Sequence, residues 1–146
     1  MIAIRPSRPE DGLRAVEIWR AAVDATHHFL TPESRAEIDA LVQDFLPGSA
    51  MWLAVDETDR PVAFMIAGDG RMEGLFVDPA CHGCGVGRAL VMHALAESSP
   101  LTTDVNEQNP AALAFYEHLG FVRTGRSETD EDGRPYPLIH LRLDRA

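Results

Sequence analysis

Leu75-Phe76-Val77-Asp78-Pro79-Ala80-Cys81-His82-Gly83-Cys84-Gly85-Val86-Gly87-Arg88-Ala89-Leu90 reads as an apolar strand, a glycine-dense loop and the start of a helix. Leu75, Phe76 and Val77 form a short buried run, stopped by Pro79, which cannot donate to a strand ladder. Gly83, Gly85 and Gly87 fall on alternate positions, so the backbone can approach a bulky group closely. From Val86 onward, Leu90, Val91, Ala94 and Leu95 recur at helical spacing. Free N–H groups and the positive end of the helix dipole converge where the loop enters that helix, and both favour phosphate. The loop matches neither common nucleotide motif. No Gly-Lys-Ser/Thr follows it, and its glycine spacing is not that of the dinucleotide fingerprint. Taken alone, a glycine-rich turn is also read as a plain tight turn.

Composition narrows the class. A chain of 146 residues, 45% hydrophobic, makes one domain with a real core. No apolar run reaches membrane-spanning length. Met1-Ile2-Ala3-Ile4-Arg5-Pro6 lacks the charged and apolar regions of a secretory signal, so the expected compartment is the cytoplasm. A formal net charge of −10 argues against nucleic acid as a partner, since phosphate neutralisation needs a basic face. The same charge suits a cationic amine substrate and also simple solubility. Cys81 and Cys84 form a Cys-x-x-Cys without a second pair, which is half of a zinc or redox site, so no metal is expected.

Residues 2–4 begin a first strand. Ser7-Arg8-Pro9-Glu10 has the form of a capping box with proline in the first turn. The helix it opens carries Ala15, Ile18, Trp19 and Ala22 on one face and runs into Ala25-Thr26-His27-His28-Phe29-Leu30. Thr31-Pro32-Glu33 starts a second helix with Ile38, Leu41, Val42 and Phe45 as its apolar stripe, ended by Pro47-Gly48. Residues 50–55 and 62–67 form a hairpin around a polar turn, and Gly68-Asp69-Gly70 turns into the strand before the loop. After the loop helix, Leu101, Thr103 and Val105 alternate as a strand. Asn109-Pro110 caps a helix whose face is Ala112, Phe115, Tyr116 and Leu119, stopped by Gly120. Phe121 and Val122 begin another strand, residues 128–134 make a charged hairpin tip, and Ile139, Leu141 and Leu143 alternate with His140 and Arg142 in a half-buried last strand. Trp19 and Trp52 read as core.

The order is therefore strand, two helices, three strands, helix, strand, helix, two strands. His82-Gly83-Cys84-Gly85-Val86-Gly87 resembles the pyrophosphate loop of the GNAT superfamily of N-acetyltransferases, with His82 where Gln or Arg is usual. Asn106-x-x-Asn109-x-Ala111-x-x-x-Phe115-Tyr116-x-x-x-Gly120-Phe121 is similar to that family's downstream signature. The resemblance covers essentially the whole chain. It implies a single α/β GNAT domain over residues 1–146, with a mixed sheet of about seven strands and about four helices that splays between its fourth and fifth strands. Asp24-Ala25-Thr26-His27, Asn106-Glu107-Gln108-Asn109 and Arg134-Pro135-Tyr136-Pro137 resemble a small bacterial branch assigned as protein-lysine acetyltransferases.

The resemblance implies acetyl transfer from acetyl-CoA to a primary amine, preferably a protein lysine, by direct attack in a ternary complex. Two alternatives stay open: a small-amine acetyltransferase, and a non-catalytic acyl-CoA sensor. Tyr116 falls at the position of the family's catalytic acid for the departing thiolate. Its other reading is an aromatic on a helix's core face. Glu73 is the candidate base and is equally a solvated hairpin carboxylate, since site tuning of its proton affinity is not legible in sequence. Backbone amides of Leu75, Phe76 and Val77 are expected to hold the pantetheine arm and thioester oxygen. Phosphate falls to His82, Gly83, Cys84, Gly85, Val86, Gly87 and Arg88. Asn109 is both helix cap and candidate cofactor contact. His27, His28 and Phe29, with Tyr136, are the candidate acceptor wall, the histidines being read equally as helix-end dipole partners.

Overall fold

The computed structural model describes residues 2–145. Strand β1 (Ala3–Pro6) is followed by a 3-10 turn and helix α1 (Gly12–Thr26), helix α2 (Pro32–Phe45), and strands β2 (Trp52–Val55), β3 (Pro61–Gly68) and β4 (Arg71–Val77). Helix α3 (Val86–Glu97), strand β5 (Leu101–Asn106), helix α4 (Pro110–His118) and strands β6 (Val122–Ser127) and β7 (Leu138–Leu143) complete the chain. Among the described residues the seven strands form one mixed sheet in the order β1-β2-β3-β4-β5-β7-β6. Among the described residues, the expected α/β order with seven strands and four helices is adopted. The chain's internal contacts divide into two units, with breaks inside β3, β4 and α3: the chain up to Ile66 joins Gly74–Leu90, while Ala67–Glu73 joins the chain from Val91 onward.

In the first unit, β1 runs antiparallel to β2, pairing Ala3 with Val55 and Pro6 with Trp52. The ladder continues into Ser7, whose N–H donates to the Met51 carbonyl at 2.8 Å and whose Oγ accepts from Met51 N at 2.9 Å. Sheet pairing thus takes Ser7 away from the helix start, and the expected cap moves on by one residue. The Arg8 N–H donates to the Asp11 carboxylate at 2.7 Å. Asp11, nearly buried, is also clasped by the Arg5 guanidinium at 2.9 and 3.1 Å. The α1 face of Ala15, Val16, Ile18, Trp19 and Val23 packs with Leu46, Met51, Leu53, Val55 and Phe64, burying apolar area that drives folding of this unit.

Thr31 caps α2 as expected, its side chain accepting from Ser34 N at 3.1 Å. The α2 stripe is narrower than its sequence suggests. Ile38 and Val42, four residues apart, reach the cluster, whereas Leu41 and Phe45 are 53% and 59% exposed. One i, i+4 row is enough to seat the helix. Its other face is held by charge: Asp39 accepts from Arg20 and Arg35, and the Arg35 guanidinium lies 4.9 Å from the Trp19 ring centroid. Trp19 is core, but Trp52 alternates away from buried Leu53 and is half-buried.

In the second unit, β4 pairs in parallel with β5, Arg71 with Thr102 and Met72 with Thr103. Buried Thr103 donates its hydroxyl to the Met72 carbonyl at 2.9 Å. β5 pairs antiparallel with β7 along its whole length, from Leu101 with Leu143 to Asn106 with Leu138. β6 pairs with β7 across a register shift between Arg123 and Gly125. Alternation holds as read: Leu101, Thr103 and Val105, and Ile139, Leu141 and Leu143, are buried. No helix among the described residues is long and apolar enough to cross a membrane.

Candidate active site

The loop after β4 is built by a sequence of short local bonds in the first unit. Asp78 donates its N–H to the Val62 carbonyl at 2.9 Å, and its carboxylate accepts from Ala80 N at 3.0 Å and Arg14 Nη2 at 2.7 Å. The Ala80 hydrogen bond, against the opposing effect of burial and with help from Arg14, holds the Asp78 carboxyl below its ordinary range. The chain then turns twice, Cys81 N to Asp78 O at 2.8 Å and Cys84 N to Cys81 O at 3.2 Å. Gly83 and Gly85 take φ +84° and +80°, left-handed values that suit glycine, and a Cβ built on either meets nothing within 4 Å. Their need for glycine is conformational, and the space beside them is open.

Helix α3 makes its first bond from Ala89 N to Gly85 O at 3.1 Å. The N–H groups of Val86, Gly87 and Arg88 therefore precede any intrahelical acceptor. Buried Val86 anchors this turn, while His82, Cys84 and Arg88 are exposed. These features fit a polyanion: several unpaired amides, a helix dipole and room beside two glycines. Cys81 and Cys84 are free thiols; burial, then Cys84 and Asp78, push the Cys81 thiol above its ordinary value. Such a thiol is a poor nucleophile and a poor metal ligand. Leu75, Phe76 and Val77 are half-buried rather than buried, because alternation gives only one of them the core face. That one is Phe76, its ring 5.4 Å from Phe64.

The candidate acceptor residues of the first unit close the end of α1. His27 N–H bonds the Val23 carbonyl at 2.7 Å, its Nδ1 lies 2.7 Å from Thr26 Oγ1, and its ring sits 5.2 Å from Phe29. Burial, then neighbouring His28, lower the His27 pKa, so this ring is neutral at neutral pH. His28 is exposed and its Nε2 lies 3.0 Å from the Ala25 carbonyl.

In the second unit, Tyr116 is 7% exposed, with Phe115 and Phe121 edge-on at 5.2 and 5.3 Å. Burial drives its hydroxyl well above the ordinary phenol value, so it keeps its proton throughout the working pH range. Phe121 N–H bonds the Tyr116 carbonyl at 3.1 Å, fixing the turn after α4 against the ring. Asn109 caps α4, accepting from Ala112 N at 3.2 Å, and is buried. Tyr136 is buried in the β6–β7 connection. Glu73 is exposed, with Oε1 3.1 Å from Arg71 Nε.

Arg71 also reaches Asp104 at 2.8 Å and Glu131 at 3.1 Å, and Asp104 in turn reaches His140. Glu73 therefore belongs to a polar network across β4, β5 and β7 that the sequence reading missed. Its one signal was alternation, which put His140 on the polar side of β7.

Comparison with known proteins gives concordant findings. A family model described as an acetyltransferase (GNAT) domain matches residues 20–138. The chain is 53% identical, over 97% of its length and 96% of the relative's, to the peptidyl-lysine N-acetyltransferase YjaB of Escherichia coli strain K12. The solution structure of apo-form YjaB from Escherichia coli superposes with a TM-score of 0.96 at 52% identity, covering 100% of this chain and 99% of that one. The structure of yncA, a putative acetyltransferase from Salmonella typhimurium with its cofactor acetyl-CoA, shares the fold at a TM-score of 0.64 and 20% identity, covering 99% of this chain and 94% of that one.

Proposed function

This chain belongs to the GNAT acetyltransferase family, and from that premise we propose that it transfers the acetyl group of acetyl-CoA to a protein lysine, by direct attack in a ternary complex. The observation that carries the lysine acceptor is the 53% identity to a peptidyl-lysine N-acetyltransferase along nearly the full length of both chains. Residues 1–146 act as one catalytic domain, in the cytoplasm, where acetyl-CoA and unmodified lysines are both at hand.

Acetyl-CoA is a consumed substrate here. Its pyrophosphate is assigned to the amides of Gly83, Gly85, Val86, Gly87 and Arg88, with the side chains of His82, Cys84 and Arg88 at the rim of the loop. The open left-handed glycines support this assignment. Leu75, Phe76 and Val77 offer backbone groups to the pantetheine arm, and Asn109 offers what its side chain has left after capping α4. Tyr116 donates a proton to the departing sulfur. The role rests on the family resemblance, and the buried phenol is protonated at working pH. Glu73 is the base that the family resemblance nominates, its carboxylate 3.1 Å from Arg71 Nε. His27, His28, Phe29 and Tyr136 are assigned to the acceptor.

The test is direct. Lysine-containing peptides incubated with the protein and acetyl-CoA should gain one acetyl group each by mass spectrometry, and Tyr116→Phe should abolish most of the gain. Unmodified peptides with the parent protein would refute the lysine reading.

A further inference from the structure

The Cys-x-x-Cys in the loop after β4 is a pair that none of the roles above uses, and its geometry is specific. The Cys84 N–H donates to the Cys81 carbonyl at 3.2 Å, closing a tight turn over Cys81-His82-Gly83-Cys84. His82 takes φ −62° and ψ 134°, and Gly83 takes φ +84°, the central conformations of a type II turn. Such a turn holds its first and last Cα atoms within about 7 Å, and a disulfide spans about 4.4–6.8 Å. The turn is anchored from upstream: Cys81 N–H bonds the Asp78 carbonyl at 2.8 Å, and Arg14 holds the Asp78 carboxylate at 2.7 Å. The chain's two cysteines thus stand at the two ends of one fixed turn, both as free thiols, and all of it lies in the first unit.

The two thiols are not equivalent. Cys84 is exposed and immediately precedes Gly85, whose carbonyl accepts the first bond of α3. It stands at the rim of the loop to which the pyrophosphate is assigned. Cys81 is half-buried, and burial works against its thiolate. A dissolved oxidant therefore meets Cys84 first. Cys81 is slow as an independent nucleophile, yet its attack on Cys84 is intramolecular across one turn, and that proximity offsets the small thiolate fraction. The fate of Cys84 matters to its neighbours. Oxidation to a sulfinic acid places a fixed negative charge beside amides and a helix end that favour a bound polyanion, and the two anions repel. A disulfide adds no charge.

We propose that Cys81 and Cys84 form a reversible oxidation site, in which Cys81 resolves oxidised Cys84 and so protects the acetyl-CoA loop from peroxide. The protective consequence rests on the pyrophosphate assignment made above; the oxidation site itself does not. The Cys84 thiolate attacks one peroxide oxygen, the O–O bond breaks, hydroxide leaves, and Cys84 carries a sulfenic acid. The Cys81 thiolate then attacks the Cys84 sulfur; the S–S bond forms, the S–O bond breaks, and a second hydroxide leaves. The protons of the two thiols neutralise the two hydroxides. Two thiols and one peroxide thus become one disulfide and two waters, and a dithiol reductant restores the thiols. Without Cys81, further peroxide carries the sulfenic acid on to sulfinic acid, which thiols do not reduce.

The experiment treats the reduced full chain with increasing hydrogen peroxide and quenches with catalase. Intact mass, peptide mapping and calorimetric acetyl-CoA affinity are then read before and after a dithiol reductant. The parent should lose two hydrogens, give an internal Cys81–Cys84 bridge, and regain its untreated affinity on reduction. Cys81→Ser should gain two oxygens on Cys84 and lose about tenfold in affinity against its own untreated sample, with no recovery on reduction. Cys84→Ser should keep the affinity of its own untreated sample, which separates thiol damage from methionine oxidation. Sulfinic acid on Cys84 of the parent at the same dose as in Cys81→Ser would overturn the proposal. Disulfide-linked dimers in place of the internal bridge would overturn it too, and an equal loss in Cys84→Ser would overturn the protective role by placing the damage elsewhere. A reduced parent that binds no acetyl-CoA, yet forms the bridge, would instead overturn the pyrophosphate assignment and leave the oxidation site standing.

Discussion

The loop from Asp78 to Arg88 and the polar row of Asp104, His140 and Ser127 across β5, β7 and β6 are built by different means. The loop offers main-chain amides, and its side chains at His82 and Cys84 simply point outward. The polar row offers side chains alone, each held by one on the next strand. The loop is written in consecutive residues, so its glycine spacing displays it. The row joins residues 104, 127 and 140, which become neighbours only through strand register and a bulge. A glycine loop is thus legible in a sequence, whereas a cross-strand row of side chains has to be seen.

Substitutions can sharpen or break that contrast. The largest effect on turnover is expected at Tyr116, a side chain announced by a local motif. Tyr116→Phe should reduce kcat by about 10²-fold or more with acetyl-CoA affinity unchanged, as read by steady-state kinetics and calorimetry. Next comes Asp11, the nearly buried carboxylate clasped by Arg5 in the first unit. Asp11→Ala should cost about 3 kcal/mol in urea unfolding, the low end for stranding one partner of a buried pair. The Arg5 hydrogen bond holds the Asp11 pKa below its ordinary value, against burial. Its stabilisation is therefore fully present above the unfolded value of about 3.9 and is lost as pH falls through the lower folded value, so acid titration of the parent should show this loss and Asp11→Ala should not.

Smaller effects belong to the loop. Gly85→Ala places a Cβ in open space but forces φ near +80° on an L residue, a strain of roughly 1–2 kcal/mol. Acetyl-CoA affinity should fall about tenfold by calorimetry if the strain is relieved by losing the bound loop shape. His82→Ala is the smallest: if main-chain amides do the binding, affinity should not change. A large loss at His82 with none at Gly85 would break the contrast, because the loop would then be reading with side chains.

The fold was legible because its signals are local. Glycine at 83 and 85, the Thr31 and Asn109 caps, and alternation in β5 and β7 each need only a few neighbouring residues. Where the reading failed, a distant partner had intervened. Ser7 was claimed by Met51 across the sheet, so the cap moved on to Arg8, whose N–H is met by the Asp11 carboxylate. The α2 stripe looked four residues wide, yet the packing surface receives only Ile38 and Val42. Glu73 looked like a free carboxylate, and Arg71, two positions before it, ties it to Asp104 and Glu131.

Whether this chain acetylates protein lysines is decided by one assay. Thiol release from acetyl-CoA would be followed with lysine peptides, free amino acids, polyamines and aminoglycosides as parallel acceptors. Turnover is expected on the peptides, with little on the small amines. Turnover on a single small amine with silent peptides would contradict it, and binding of acetyl-CoA without turnover on any acceptor would contradict it in favour of a sensor.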